Sequence, residues 1–261
     1  MSVNHNEVRE ILLKRIQNDF PEDRVCLLLS GGTDSTILGL VCRELGKNVV
    51  TVSFELDGYP NWDCETSDRT SEILGFEFHK VVVPTNDPSV DFLDLIHNYK
   101  CETKIELEII FPFLHILRKV KELGFTKVLT GFSSMIPDSR KSNVDHRKDQ
   151  QLYWEQCLVE EYDSKGTQKS FEVSSQFGIT LYQPLTDKDL IRYLSSIPSD
   201  QLHKPYWKSP YKLPYRDDFE MIGLLEKGKT PGLQVGGGVE NYFSQILGDP
   251  IINYRGYLRG N

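Results

Sequence analysis

VCLLLSGGTDSTILGLVCREL, residues 25 to 45, decides the fold. VCLLL (25–29) is short and fully apolar, as a strand buried on both faces is. DSTILGLVCREL (34–45) returns to helical spacing. Between them, SGGTDST (30–36) packs two glycines, an acid and several hydroxyls into one turn. A glycine-rich turn from a buried strand into a helix aims backbone N–H groups at one spot, and the helix N-terminus adds partial positive charge there. The reading is an anion site. Ser30, Thr33, Ser35 and Thr36 offer hydroxyls, and Gly31 and Gly32 let backbone approach closely. Asp34 is out of place at a bare anion site and makes sense if magnesium accompanies phosphates. A Walker loop would need GxxxxGK[ST] and a dinucleotide fingerprint GxGxxG; neither is present. The plainer alternative is a tight turn in which Asp34 or Ser35 merely caps the helix.

Outward from this stretch, apolar and amphipathic runs alternate. Helical spacing covers 7–20 (Val8, Ile11, Leu12, Ile16), 64–75 with a stop at Gly75, and about 104–123 with Ile110, Leu114, Leu117 and Val120 on one stripe. Buried strands are expected at 48–54, 76–83 and 127–132. This alternation predicts an α/β fold: a doubly wound parallel sheet of about five strands with a helical C-terminal extension. The expected organisation is one domain over 1–261. Residues 23–135 form its nucleotide-binding core, and 136–261 the helical extension and lid. The stretch 139–151 is charged, without an apolar stripe, and reads as a loop.

A net charge of −8 disfavours general nucleic-acid binding. No stretch reaches the roughly 18 apolar residues of a membrane span, and MSVNHNEVRE lacks the apolar core of a signal peptide. The expected location is the cytoplasm. Cys26, Cys42, Cys64, Cys101 and Cys157 contain no CxxC pair, which excludes zinc ribbons and thioredoxin-like motifs and leaves core or bystander thiols. The six histidines show no paired spacing, and His115 reads as an ordinary helix residue.

SGGTDS resembles the pyrophosphate loop of the N-type ATP pyrophosphatases, which cleave ATP between its α and β phosphates and form an adenylated intermediate. TVSFE (51–55), DCETSDRTSEILGFEFHKVVV (63–83), PFLHILRKVKELGFTKVLTGFSS (112–134), ITLYQPLTDKDLIRYLSSIPSDQLHK (179–204), KLPYR (212–216) and GKTPGLQVGGGVENYF (228–243) follow in an order similar to the synthetase domain of asparagine synthetase. Joint order carries that resemblance over about residues 23–245. It implies an ATP- and Mg2+-dependent ligase that adenylates a carboxylate and forms an amide. By the same resemblance, Ser30, Gly31, Gly32, Thr33, Asp34, Ser35 and Thr36 hold pyrophosphate and magnesium. Backbone near Val52 and Ser53 meets adenine, Gly131 lies at a second signature loop, and Lys212 and Lys229 stabilise developing charge. Read from the residues alone, Lys212 and Arg216 share a solvated helix face, Lys229 is a surface lysine, and Gly236, Gly237 and Gly238 form a flexible turn or a lid hinge.

Two departures shape the expectation. Asparagine synthetase carries an N-terminal glutaminase domain whose cysteine follows the initiator Met. Here position 2 is Ser and the phosphate loop begins at residue 30, so ammonia is expected free, from a separate glutaminase subunit, or as a substrate amine. The second loop, expected as roughly G-E-G-x-D-E, reads GFSSMI (131–136), with Phe132, Met135 and Ile136 at the acidic positions and Asp138 nearby. Three readings remain open: an AMP-forming amide ligase, a tRNA- or nucleobase-modifying relative, and a non-catalytic nucleotide-binding descendant. For the second, Lys204, Lys208, Lys212 and Arg216 interleave with Tyr206, Trp207, Tyr211 and Tyr215, a pattern suited to RNA phosphates and stacked bases. Arg147 and Lys148 could add to it.

Overall fold

The computed structural model describes residues 5–59, 61–86, 88–131, 165–197, 213–224 and 236–247. Five strands form one sheet: β1 (Arg24–Leu28), β2 (Asn48–Leu56), β3 (Glu77–Val83), β4 (Lys127–Thr130) and β5 (Thr180–Tyr182). Their order is β3-β2-β1-β4-β5, and every pairing is parallel. The chain winds one way from β1 to β3 and the other way through β4 and β5. The reversal lies between β1 and β4, and open α/β sheets bind ligands outside the carboxyl ends of the strands at such a point.

Helices cover both faces, as a parallel sheet requires. One face carries α1 (His5–Asp19), α2 (Thr33–Glu44), α3 (Trp62–Leu74), α7 (Lys188–Ser196) and α8 (Arg216–Ile222). The other carries α4 (Pro88–His97), α5 (Lys104–Glu122), α6 (Lys165–Gln176) and α9 (Val239–Leu247). The i, i+4 stripe of α1 is fully buried at Val8, Leu12 and Ile16. Each such side chain contributes about 1.5–3 kcal/mol relative to exposure. In α5 the expected stripe of Ile110, Leu114, Leu117 and Val120 is buried against the sheet. A reciprocal capping box of Thr103 and Glu106 starts that helix. His115 packs edge-on against Phe111, as an ordinary helix residue does.

Most expected elements stand within two residues of their observed bounds, and Gly75 ends α3 in the left-handed conformation (φ 72°). Two elements are additions. Helix α4 lies between β3 and α5, and β5 is a three-residue strand inside the stretch read as helical extension. The second half of the chain therefore completes the sheet as well as covering it. Cys26, Cys42, Cys64 and Cys101 are buried and free, and burial pushes their thiols up, three to about 12 and Cys64 to about 11. Thiols held protonated this firmly are core groups, not nucleophiles. Cys157 lies outside the described residues.

Candidate functional site

The SGGTDST turn leaves β1 at the reversal point and enters α2, whose N-cap is Gly32 with no side-chain cap. Capping by Asp34 or Ser35 is therefore not what the turn does. Its hydroxyls divide into two kinds. Thr36 is fully buried, and its Oγ1 donates to Gly32 O at 2.8 Å. Ser35 Oγ donates to the same carbonyl at 3.1 Å and accepts from Ser30 N at 3.2 Å. These two brace the turn from within. Ser30 is exposed, with its Oγ 3.1 Å from Ser35 Oγ, Asp34 is half-buried and Thr33 is buried, so Ser30 and Asp34 are the side chains of the turn that reach the rim. The first-turn N–H groups of an α-helix have no intrahelical carbonyl to bond, which leaves this rim suited to phosphate oxygens.

Two glycines are fixed by their neighbours. Gly31 has φ +70°, and a Cβ there would stand 2.6 Å from Asp63 O and 3.0 Å from Thr66 Cβ, both on α3. Gly131, just beyond β4, would place a Cβ 2.8 Å from Ser35 N. The end of β4 thus closes against the first turn of α2, and the turn is held between two elements. Ser67 Oγ extends this by donating to Leu29 O and to Asp63 O, each at 2.7 Å.

Val52 and Ser53 are buried in β2 beside the turn. Val52 O accepts from Leu29 N at 3.1 Å, so that carbonyl serves the sheet. Pairing of β2 with β1 ends at Val52, while pairing with β3 continues to Leu56. Among the described strands none pairs with that edge of β2 beyond Val52, and Asn61 Nδ2 donates to Phe54 O on it at 3.3 Å.

Asp63 is the acidic neighbour that the sequence reading passed over. It is the second residue of α3, 6% exposed, and Oδ1 has no hydrogen-bond partner among the described residues. Burial pushes its carboxyl up to about 7. A Cβ on Gly236 would fall 2.4 and 2.5 Å from its two carboxylate oxygens. Gly236 therefore lies packed on the start of α3, and Gly236 and Gly237 are buried, whereas a Cβ on Gly238 (φ +74°) would meet nothing within 4 Å. Helix α9, which follows, docks at the same end of the sheet. Tyr242 Oη donates to Thr85 O at 3.2 Å, Tyr59 Oη to Gln245 Oε1 at 2.7 Å, and Tyr242 stacks on Phe111 at 5.7 Å.

Of the other expected residues, most lie beyond what the structure describes. Lys212, Lys229, Phe132, Met135, Ile136, Asp138, Arg147, Lys148, Lys204, Tyr206, Trp207, Lys208 and Tyr211 lie outside the described residues. Arg216 opens α8, and Asp218 two residues on pairs with Arg43 at 3.0 Å, near the far end of α2. At 1.5 Å per residue that is about 15 Å along α2 from the phosphate turn. Tyr215 is 3% exposed in the core beside α1 and α2, which removes it from any stacking surface.

The donor set fits a phosphate chain with magnesium. Magnesium keeps several waters and takes one or two carboxylates plus phosphate oxygens, and Asp34 supplies one carboxylate on the rim. Among the described residues, no group of three acidic, histidine or cysteine side chains forms a metal cage. No helix among them is long and apolar enough to cross a membrane.

Residues 7–134 match the asparagine synthase family model. This span holds the phosphate turn, Asp63 and Gly131, and the resemblance to the synthetase domain is borne out over it. A glutamine-hydrolyzing asparagine synthetase from Arabidopsis thaliana is 24% identical over 215 residues, covering 74% of this chain and 35% of that protein. A tRNA-specific 2-thiouridylase, MnmA, from Campylobacter lari is 24% identical over 144 residues, covering 50% of this chain and 41% of that one. The chain thus spans about a third of the asparagine synthetases it matches. A solved structure described as a predicted subunit of tRNA methyltransferase, from Methanocaldococcus jannaschii, covers 67% of this chain at 18% identity with a TM-score of 0.32, too loose a likeness to carry an argument.

Proposed function

We propose, from the asparagine-synthase-like character of residues 7–134, that the chain is an ATP-dependent carbon–nitrogen ligase forming AMP and pyrophosphate. A carboxylate substrate attacks the α-phosphate of ATP, pyrophosphate leaves, and ammonia or an amine then displaces AMP to give an amide. The observation that carries this reading is the phosphate turn at the sheet's reversal point, locked by Gly31 on α3 and Gly131 against α2.

In this reading Ser30, Gly32 and Asp34 form the rim that holds the departing pyrophosphate, with the buried Thr33 contributing its first-turn N–H and Asp34 as the magnesium ligand. Ser35 and Thr36 keep the rim in shape. Gly31 and Gly131 set its position, and β2 beyond Val52 and Ser53 offers backbone to adenine. Rigid placement of the phosphates in line with the attacking carboxylate supplies much of the acceleration. Lys212 and Lys229 are the proposed cations for the leaving charge. The ammonia source is free ammonium, a substrate amine or a separate glutaminase subunit. The location is the cytoplasm, where buried free thiols persist.

A second reading, nucleobase or tRNA modification, has the thiouridylase relatives in its favour. Burial of Tyr215 removes one of its proposed stacking rings, and none of the four described cysteines is placed for sulfur chemistry. Exchange of labelled pyrophosphate into ATP tests the ligase. Exchange that requires a small carboxylic acid supports it. Exchange that appears only with RNA moves the assignment to the second reading, and ATP binding without exchange under any condition identifies a non-catalytic descendant.

A further inference from the structure

Asp63 touches two segments that are far apart in sequence. Its backbone carbonyl lies against Gly31 of the phosphate turn, and its carboxyl lies against Gly236 at the approach to α9. A methyl group would stand 2.6 Å from backbone on the first side and 2.4–2.5 Å from the carboxylate oxygens on the second, so on either side one partner would have to move. The carboxyl is nonetheless poorly served, because among the described residues buried Oδ1 finds no hydrogen-bond partner. A buried acceptor in that state is destabilising, so its place here is not explained by stability. Nor is Asp63 needed to attach α9, which has its own anchors through Tyr242, Gln245 and the ring of Phe111.

What Asp63 does fix is where the residues before α9 lie relative to the phosphate turn. We propose that Asp63 is a positioning residue of the phosphate site. Its carboxyl seats Gly236 on α3 while its carbonyl closes on Gly31, so the start of the glycine run and the phosphate turn keep one fixed relation beside a bound polyphosphate. The need for glycine at 236 follows directly, since the carboxyl occupies the space of a side chain there. The inference rests on the reading of the turn as an ATP phosphate site.

Calorimetric titration of the full chain with Mg·ATP, and separately with inorganic pyrophosphate, tests it in wild type, Asp63→Ala, Gly236→Ala, the double variant and Asp63→Asn. Gly236→Ala forces a methyl onto the carboxyl and weakens binding at least about tenfold. Asp63→Ala weakens it by about five- to tenfold through loss of the seat. The double variant binds more tightly than Gly236→Ala alone, because the methyl now has room. Asp63→Asn keeps the shape and recovers most of the affinity lost in Asp63→Ala, which a role in holding charge would not allow. Losses that simply add in the double variant, or Asp63→Ala binding like wild type, overturn the proposal. If Gly236→Ala does not fold, Asp63→Ala beside Asp63→Asn decides alone. Wild type that binds pyrophosphate but not ATP contradicts the ATP reading and leaves the pyrophosphate series to judge Asp63. Wild type that binds neither contradicts both.

Discussion

The start of α2 and the start of α9 both lie against Asp63, yet their glycines are excluded from substitution by different matter. At Gly31 the obstacle is backbone, Asp63 O, and the residue's own φ of +70°. At Gly236 the obstacle is a carboxyl group. Backbone in a helix's first turn cannot step aside, whereas a side chain can be shortened by mutation. The phosphate turn is therefore built to one geometry, while the approach to α9 has a geometry that one neighbouring side chain sets.

This contrast is broken most severely at Gly31. Gly31→Ala combines left-handed strain of about 1–2 kcal/mol with overpacking of about 1–3 kcal/mol. Urea unfolding should show the sum, pyrophosphate binding should vanish, and shortening Asp63 should not restore it, because the clash is with a carbonyl that Ala also has. Gly131→Ala has ordinary φ and meets only Ser35 N and its neighbours. It should cost about 1–3 kcal/mol by the same denaturation and weaken nucleotide binding less than Gly31→Ala.

The Asp63 carboxyl gives an effect of similar size with a pH signature. Its proton is held up to about 7 in the folded state, against about 3.9 in the unfolded chain. The native state thus binds the proton more tightly. Stability from this group is full below about pH 4, falls as pH rises toward 7, and is level above, by about 2–4 kcal/mol in all. Asp63→Asn should flatten that fall in denaturation curves taken from pH 4 to 8. A wild-type minus Asp63→Asn difference that does not fall over this window would show the carboxyl paired instead of orphaned.

The smallest expected effect separates the brace from the rim. Thr36→Val removes the bond to Gly32 O and should cost about 1 kcal/mol of stability. Ser30→Ala, on the exposed rim, should leave stability within about 0.5 kcal/mol and weaken pyrophosphate binding instead. Titration and unfolding of the two variants side by side check the division.

Legibility in the sequence follows the same line between local and tertiary causes. The strand-turn-helix of residues 25–45 was readable because apolar run, glycines and helical spacing are all local. The stripes of α1 and α5 were readable for the same reason. Strand β5 was not: three residues, Thr180–Tyr182, are too short to show a period, and they are strand because β4 offers an open edge. Helix α4 begins at Pro88 in a stretch with little patterning before it. Asp63 gave a partial signal, an Asn61 N-cap whose side chain accepts from Cys64 N at 2.8 Å. Its burial comes from Gly31 and Gly236, which are distant in sequence. Arg216 is a mixed case: its spacing from Lys212 matches a motif, while the pairing of the neighbouring Asp218 with Arg43 is a tertiary contact that no local pattern announces.

The central claim is that this turn holds ATP for cleavage between its α and β phosphates. Its most direct test is AMP release from Mg·ATP with ammonium and a panel of carboxylic acids including aspartate, then with small amines, for wild type beside Asp34→Ala. AMP and pyrophosphate are expected in equal amounts, dependent on one acid and lost in the variant. Release of ADP and phosphate, or AMP formation undiminished in Asp34→Ala, would contradict it.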